Sequence, residues 1–232
     1  MDYVTRTPIV LCSDKSFGTN LNFSPHFQRS TEIMHCSTPD AVLSMLEGLP
    51  SATWVFFTFW SSYIPSSVYL NHRAVVFHMT DLPFGRGGTP LQNLIQRGFS
   101  STMLSALQCV KELDAGPVYL KKEMSLEGSA SQIFARAEEL MPQMIEEIVV
   151  SGKVPIEQVG EVVQFRRRTP EMSKLSNADP LNKLYDNIRM VDAEGYPRAY
   201  IDWAQYRIEF SNADFANETL TGTFVIRKNG QD

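Results

Sequence analysis

The chain has 232 residues, a formal net charge of −5 and a pI of about 5.4, which fits one large domain or one domain with a small appendage. The acidic excess argues against a broad nucleic-acid surface, and three scattered cysteines argue against a disulfide framework or a zinc cage. No basic amino-terminal segment precedes an apolar run, and no stretch approaches about 18 consecutive apolar residues. We therefore expect a cytoplasmic protein that does not bind membranes.

Apolar runs bounded by turn residues predict strands and helices that alternate as far as Gly152. In chain order, we predict a strand at Pro8–Cys12, a helix at Thr38–Pro50, a strand at Thr53–Phe59, a short helix, a strand at Arg73–Met79, a helix at Thr89–Gly98, strands at Ser101–Val110 and Pro117–Leu126, and a helix at Ser129–Gly152. Pro142 is expected to kink or split the last helix. The alternation is typical of an α/β fold with a mostly parallel sheet and helices on both faces, which places its site at the carboxyl ends of strands.

The pattern changes after Gly152. The segment KVPIEQVG is typical of a linker, and VVQFRRRTPEMS is an extended basic segment. A helix is predicted at Asp179–Val191, followed by turns and short strands. The expected N-caps of the helices are Thr38, Thr89 and Asp179. We therefore predict a main domain over residues 1–158 and a small carboxy-terminal subdomain of one helix and short strands over 159–232.

The stretch VVFHMTDLPFGRGGTP places His78 where a predicted strand ends. A histidine in such a place is about as often a packed core residue as a functional group. Thr80 and Asp81 can fix a turn there, Pro83 stiffens it, and the glycines let the main chain approach a ligand closely. These features favour a functional site without defining its chemistry.

Asp114 lies in the second notable stretch, KELDAGPVYL. An acid before Ala-Gly-Pro most often only forms a turn. An aspartate brought beside His78 could instead hold or charge the imidazole for acid–base work. No metal is expected, because the sequence has neither a helical histidine pair nor carboxylates at ligand spacing. It also lacks a Gly-x-Ser-x-Gly elbow and a Gly-Lys-Ser/Thr phosphate loop.

The two stretches together resemble the folate-dependent formyltransferases, whose pattern is His-x-Ser-x-Leu-Pro-x-x-Arg-Gly-x-x-Pro with a later Leu-Asp-x-Gly. The matching positions are His78, Thr80 in the Ser place, Leu82, Pro83, Arg86, Gly87, Pro90, Leu113, Asp114 and Gly116. The segment FWSSYIP stands where that family has its folate-side loop. FRRRTPEMS and LYDNIRMVDAEGYPRAY resemble segments that follow the catalytic domain in bacterial amino-sugar N-formyltransferases and methionyl-tRNA formyltransferases.

The resemblance implies a Rossmann-like fold and formyl transfer from 10-formyltetrahydrofolate to a primary amine, without a metal. A protonated His78 would stabilise the oxyanion and later protonate the leaving folate nitrogen, and Asp114 would keep the imidazole charged. The residues that the resemblance places at the folate are Phe59, Trp60, Ile64, Leu82, Arg86 and Gly87.

The chain departs from the family at position 76, where the family has an Asn that helps to bind the oxyanion. Val76 has no side-chain donor. Loss of one such donor can cost roughly 10²–10³ in rate. Another donor could replace it, the enzyme could be slow, or the reaction could be lost. Thr80, Asn93 and backbone N–H groups are the substitutes that the sequence offers.

The acidic charge and the short carboxy-terminal part favour a nucleotide-linked amino sugar as acceptor, with no nucleic acid as partner. By family likeness we expect a UDP-4-amino-4,6-dideoxy hexose on a route to a nonulosonic (pseudaminic type) acid of a bacterial surface polysaccharide. The expected acceptor-binding residues are Thr80, Arg166, Arg167, Arg168 and Tyr196, although a solvated strand edge and simple packing explain the last four equally well. The alternatives are a methionyl-tRNA formyltransferase, a non-catalytic folate or nucleotide-sugar binding protein, and hydrolysis of the formyl-folate by water. The sequence leaves open whether the chain forms a homodimer.

Overall fold

A computed structural model describes residues 6–18 and 21–229 of the chain. The protein consists of two compact units. The first contains the chain up to Arg86, Met103–Met124 and Arg136–Gln164. The second contains Gly87–Thr102, Ser125–Ala135 and the chain from Phe165 onward. The predicted division at residue 158 stays a prediction.

A six-stranded sheet forms the centre of the fold, in the order β2-β1-β3-β4-β6-β7. Its strands are β1 (Thr7–Cys12), β2 (Thr31–Cys36), β3 (Trp54–Phe57), β4 (Arg73–His78), β6 (Ser101–Gln108) and β7 (Val118–Ser125). The first four run parallel, whereas β6 runs antiparallel to β4. β1 and β3 are almost wholly apolar and buried, as strands covered on both faces must be. The predicted α/β fold with a mostly parallel sheet is confirmed.

Six α-helices accompany the strands in the part of the chain that the structure describes. They are α1 (Pro25–Ser30), α2 (Pro39–Leu46), α3 (Ser66–Asn71), α4 (Pro90–Gln96), α5 (Ala130–Ser151) and α6 (Leu181–Arg189). The sequence analysis missed α1 and β2, because β2 carries polar residues such as Glu32 and His35 and lacks a clear apolar run. None of the described helices is both long and apolar enough to cross a bilayer.

Three local predictions differ from the structure. α5 is one continuous helix through Pro142, so it is not split there. A row of buried residues keeps its turns packed despite the missing N–H: Ile133, Phe134, Ala137, Met141, Met144, Ile145 and Ile148. Thr89 has a left-handed φ of 48° and no capping hydrogen bond. Pro180 occupies the N-cap position of α6 in place of Asp179, whose carboxylate binds Lys183 instead.

The carboxy-terminal part of the second unit contains a three-stranded antiparallel sheet in the order β11-β10-β9. Its strands are β9 (Ala199–Trp203), β10 (Tyr206–Ala216) and β11 (Thr219–Lys228). β9 is short, as predicted, whereas β10 and β11 have 11 and 10 residues and form a longer hairpin than expected. A further two-stranded sheet pairs β5 (Phe84–Gly87) with β8 (Val163–Phe165).

Gly116 offers a direct test of the close backbone packing near Asp114. A Cβ at this position would lie 1.9 Å from the carbonyl oxygen of Gln108, so a side chain can enter only if the main chain moves. We expect Gly116→Ala to lower the free energy of unfolding by about 1–3 kcal/mol. The matched control is Gly48→Ala, because a Cβ at Gly48 would meet nothing within 4 Å. Urea denaturation of both variants measures the difference, and equal stabilities would contradict the packing.

Candidate active site

His78 is the last residue of β4 and its side chain is buried. Its Nε2 atom lies 2.8 Å from the carbonyl oxygen of Gly85, in β5. Its Nδ1 atom lies 3.6 Å from Oδ2 of Asp114. The structure therefore brings together the two residues that the sequence analysis selected as catalytic.

The hydrogen-bond partners of the imidazole determine which of its two nitrogens is protonated in the neutral ring. A carbonyl oxygen only accepts hydrogen bonds, so Nε2 of His78 is protonated and donates a hydrogen bond to the Gly85 carbonyl oxygen. In the neutral ring, Nδ1 is then a bare acceptor beside the Asp114 carboxylate. In the charged ring, Nδ1–H is a donor that the carboxylate stabilises. The arrangement leaves Nδ1 as the nitrogen able to take up and return a proton.

Asp114 reaches His78 by a route that strand order alone does not predict. In the antiparallel pairing of β4 and β6, Gln108 at the end of β6 stands opposite Val75, and His78 stands opposite Ser105. The connection after β6 must therefore run back along β4 before it can bring a carboxylate to His78. Asp114 adopts a φ of 53°, in the left-handed region that aspartate tolerates better than most residues.

The loop after β4 is held by hydrogen bonds within the first unit. The hydroxyl of Ser105 donates to the Thr80 carbonyl at 2.7 Å, and Lys121 binds both the Asp81 carboxylate and the Leu82 carbonyl. The hydroxyl of Thr80 lies 3.4 Å from the Gly85 carbonyl oxygen. Thr80 and Leu82 are almost completely buried, so both support the loop in this structure. Their predicted contacts with acceptor and folate stay predictions.

The three predicted folate residues after β3 lie among aromatic and apolar side chains. Phe59 has a left-handed φ of 48° and packs edge-on against Phe17, with ring centroids 4.8 Å apart. Trp60 packs against Phe57 at 5.3 Å, and Ile64 contacts the same core cluster. Within the described part of the chain, the buried Nε1 atom of Trp60 has no hydrogen-bond partner. An indole N–H without a partner is a donor that a bound molecule could use.

Asp14 is a residue at this edge that the sequence analysis missed. It follows β1, and its carboxylate accepts hydrogen bonds from the backbone N–H groups of Ser61 and Ser62 at 2.8 and 3.0 Å. Both serine hydroxyls donate to the same oxygen, at 2.9 and 3.1 Å. Its position directly after a buried parallel strand was the available signal. Asp14 fixes the loop that carries Phe59 and Trp60.

Five of the predicted site residues belong to the second unit. They are Gly87, Arg166, Arg167, Arg168 and Tyr196. A Cβ on Gly87 would lie 2.4 Å from the Phe165 carbonyl oxygen, so this glycine is needed for packing. Arg166 and Arg167 are exposed, whereas burial lowers the pKa of the Arg168 guanidinium. The second unit also contains a cavity of about 760 Å³ between α6 and the β9–β11 sheet, which is not lined by any of the predicted site residues.

The remaining residues that could bind a metal or act as a nucleophile are the His, Cys, Asp and Glu side chains. Residues 6–18 and 21–229 contain no group of three His, Cys, Asp or Glu side chains placed to hold a metal ion. Burial, with a smaller contribution from the Asp114 carboxylate, raises the pKa of the Cys109 thiol to about 11. Cys109 is therefore a neutral thiol at physiological pH and a poor nucleophile.

Comparison with known proteins gives consistent matches. Residues 170–227 match the family model described as methionyl-tRNA formyltransferase, C-terminal domain. The methionyl-tRNA formyltransferase of Mesoplasma florum is 29% identical over 166 residues, which cover 67% of this chain and 52% of that protein. The solved structure of the methionyl-tRNA formyltransferase from Clostridium thermocellum is 37% identical with a TM-score of 0.88, covering 96% of this chain and 100% of that one. The chain spans about half the length of the curated relatives it matches.

A sugar enzyme is a more distant neighbour. A 4-N formyltransferase from Francisella tularensis is 14% identical with a TM-score of 0.62, covering 85% of this chain and 93% of that one. This likeness is confined to the fold. The expectations of an amino-sugar acceptor and of no nucleic-acid partner are therefore wrong, since the relatives at 29% and 37% identity are methionyl-tRNA formyltransferases.

Two of the residues expected to bind the acceptor make contacts within the second unit. Tyr196, which we expected to bind the sugar nucleotide, packs against Phe134 with ring centroids 5.5 Å apart. The guanidinium of Arg168 donates to the Met172 carbonyl. The predicted contacts of Tyr196 and Arg168 with an acceptor stay predictions.

Substitution of Asp14 tests whether its carboxylate holds the loop that follows β3. Asp14→Ala removes the carboxylate that accepts hydrogen bonds from four donor groups, and we expect faster amide hydrogen exchange at residues 58–64 and a loss of about 1–3 kcal/mol of stability. Asp14→Asn keeps one oxygen for the two backbone N–H groups and should restore most of the protection. Exchange in the Ala variant equal to that of the wild type would show that the loop is held by other contacts.

Proposed function

The chain belongs to the folate-dependent, methionyl-tRNA formyltransferase-like family, and we propose that it transfers a formyl group from 10-formyltetrahydrofolate to the amine of methionine carried on transfer RNA. The observation that carries this proposal is the buried pair of His78 and Asp114, with Nδ1 and Oδ2 3.6 Å apart at the end of β4. These are the residues at the two positions of the family pattern to which the resemblance assigns catalysis. The relatives' printed names supply the acceptor.

The proposed reaction needs one proton to move while one C–N bond replaces another. The acceptor nitrogen bonds to the formyl carbon, the bond from that carbon to the folate nitrogen breaks, and a proton passes from the amine to the folate nitrogen. Nδ1 of His78 is placed to take this proton and return it, since Nε2 stays bonded to Gly85. The adjacent Asp114 carboxylate stabilises the imidazolium that exists between the two transfers.

The oxyanion of the tetrahedral intermediate needs a donor that Val76 cannot supply. Val76 is partly buried and packs against the apolar core cluster. Asn93, one substitute that the sequence offers, uses its Nδ2 group on the carbonyls of Gly88, Thr89 and Arg166. We therefore assign oxyanion stabilisation to the positive charge of protonated His78, whose Nδ1 lies 3.6 Å from the Asp114 carboxylate.

The folate co-substrate fits the character of the loop after β3. Its pterin ring is flat and carries hydrogen-bonding edges, and this loop offers aromatic surface at Phe59 and the unpartnered Nε1 of Trp60. When bound, the co-substrate supplies the activated formyl group. The chain's own residues orient it, with Asp14 fixing the loop through Ser61 and Ser62.

Transfer RNA as a partner is compatible with the net charge of −5. Net charge is a property of the whole chain, whereas phosphate contacts need only a local cluster of cations. Arg166 and Arg167 are exposed neighbours in the second unit and are the positions we propose for such contacts. The expectation of no nucleic-acid partner used the acidic net charge and the short carboxy-terminal part, and a net charge leaves a local basic cluster possible.

A transfer assay that compares methionyl-tRNA, a nucleotide-linked amino sugar and water as acceptors tests the proposal. With 10-formyltetrahydrofolate labelled in the formyl group, we expect label to appear on methionyl-tRNA and neither on a nucleotide-linked amino sugar nor as free formate. Raising the salt concentration from about 50 to 200 mM should raise the KM for the RNA steeply, because phosphate contacts release counterions.

Each other outcome has a distinct meaning. Label on the amino sugar alone would contradict the RNA acceptor, and label released as formate without an acceptor would indicate hydrolysis. No label on any acceptor, together with retained folate binding, would indicate a binding protein that has lost the reaction.

A further inference from the structure

Gln158 joins two parts of the first unit that carry predicted site residues. It lies between α5 and β8, in the segment that the sequence analysis interpreted as a linker. Its Oε1 atom accepts hydrogen bonds from Nε and Nη2 of Arg86, at 3.1 and 2.7 Å. Its Nε2 atom donates to the carbonyls of Asp114 and Gly116, at 2.9 and 2.8 Å.

The orientation of this amide follows from its partners. A guanidinium only donates and a carbonyl only accepts, so the oxygen of Gln158 must face Arg86 and its nitrogen must face Asp114 and Gly116. The side chain thus makes four hydrogen bonds, two through each end. A partly buried glutamine with every one of these bonds made is well fixed in position.

The turn that Gln158 binds needs such support. Asp114 has a φ of 53°, and a residue with a side chain in this region carries a cost of about 1–3 kcal/mol that the surroundings must offset. Gln158 bonds to the carbonyl of this same residue and to the carbonyl two residues later. Gly116 also packs directly against the Gln108 carbonyl. The turn is therefore held by the hydrogen bonds from Gln158 and by the close packing of Gly116.

We propose that Gln158 is a positioning residue: it holds the Asp114 turn so that the carboxylate faces Nδ1 of His78, and it couples this turn to Arg86. The proposal rests on the proposed formyl transfer, because its kinetic consequence is defined by that reaction. Gln158 does not touch the reacting atoms. Its effect on the rate comes from the geometry of the pair of His78 and Asp114, whose Nδ1 and Oδ2 atoms lie 3.6 Å apart.

The variant Gln158→Glu separates the contact with Arg86 from the contact with the Asp114 turn. Gln158→Glu keeps an acceptor for Arg86 and adds an ion pair, but it loses both donors to the turn and places a carboxylate against two carbonyls. Gln158→Leu loses both contacts, and its side chain has a similar volume. The matched control is Gln164→Glu, the same change of charge at an exposed position in β8.

Two measurements on the full chain test the proposal. In Gln158→Glu we expect kcat to fall about tenfold to a hundredfold with the KM for 10-formyltetrahydrofolate within about threefold, since a small misplacement of a catalytic group acts mainly on the reacting geometry. We also expect faster amide hydrogen exchange in residues 112–118. Gln158→Leu should lose at least as much kcat, and Gln164→Glu should match the wild type in both measurements.

The outcomes separate this proposal from the function it rests on. If folded Gln158→Glu protein keeps the wild-type kcat, or if only KM rises, Gln158 does not position Asp114 and the proposal fails. If the wild type transfers the formyl group to no acceptor, the proposed function fails, and hydrogen exchange still decides the role of Gln158. Unchanged exchange at residues 112–118 in Gln158→Glu would then overturn it.

Discussion

The contact between His78 and Asp114 is the constraint on which the rest of the site depends. The two side chains come from different stretches of the chain, and both are largely buried with 3.6 Å between Nδ1 and Oδ2. Burial strengthens the electrostatic interaction between them, and it also makes an unpaired charge costly. The neighbouring structure must therefore keep both groups in place, because neither is well accommodated without the other once the imidazole is charged.

Backbone groups do much of this positioning. The Gly85 carbonyl fixes one nitrogen of the imidazole and thereby leaves the other for chemistry. The antiparallel direction of β6 places the end of that strand at Val75, so the chain must return to bring Asp114 to His78. In the segment that makes this return, Asp114 has a left-handed φ and Gly116 lies against the Gln108 carbonyl. The geometry of the site is thus determined by strand direction as well as by the two motifs.

The sequence predicted the parts of this molecule that depend on local pattern. Buried parallel strands such as β1 and β3 are continuous apolar runs, and the pair of His78 and Asp114 lies in stretches whose spacing matches a family pattern. It did not reveal contacts that depend on tertiary position, such as Asp14 with Ser61 and Ser62. Of the two effects expected at Pro142, the split of the helix is absent, because a buried helical face outweighs one missing hydrogen bond. The acceptor was predicted wrongly because no single residue identifies it. Similarity to known proteins over nearly the whole chain does give information about the acceptor.

The central claim is that His78 and Asp114 act as one unit in formyl transfer. A double-mutant cycle on kcat, with His78→Asn, Asp114→Asn and the two changes combined, tests it most directly. If the residues act together, each single change lowers kcat by about 10²–10⁴ and the double variant is hardly slower than the slower single variant. A loss in the double variant equal to the product of the two single losses would show that the residues act independently, and the proposed proton transfer through a coupled pair would be wrong.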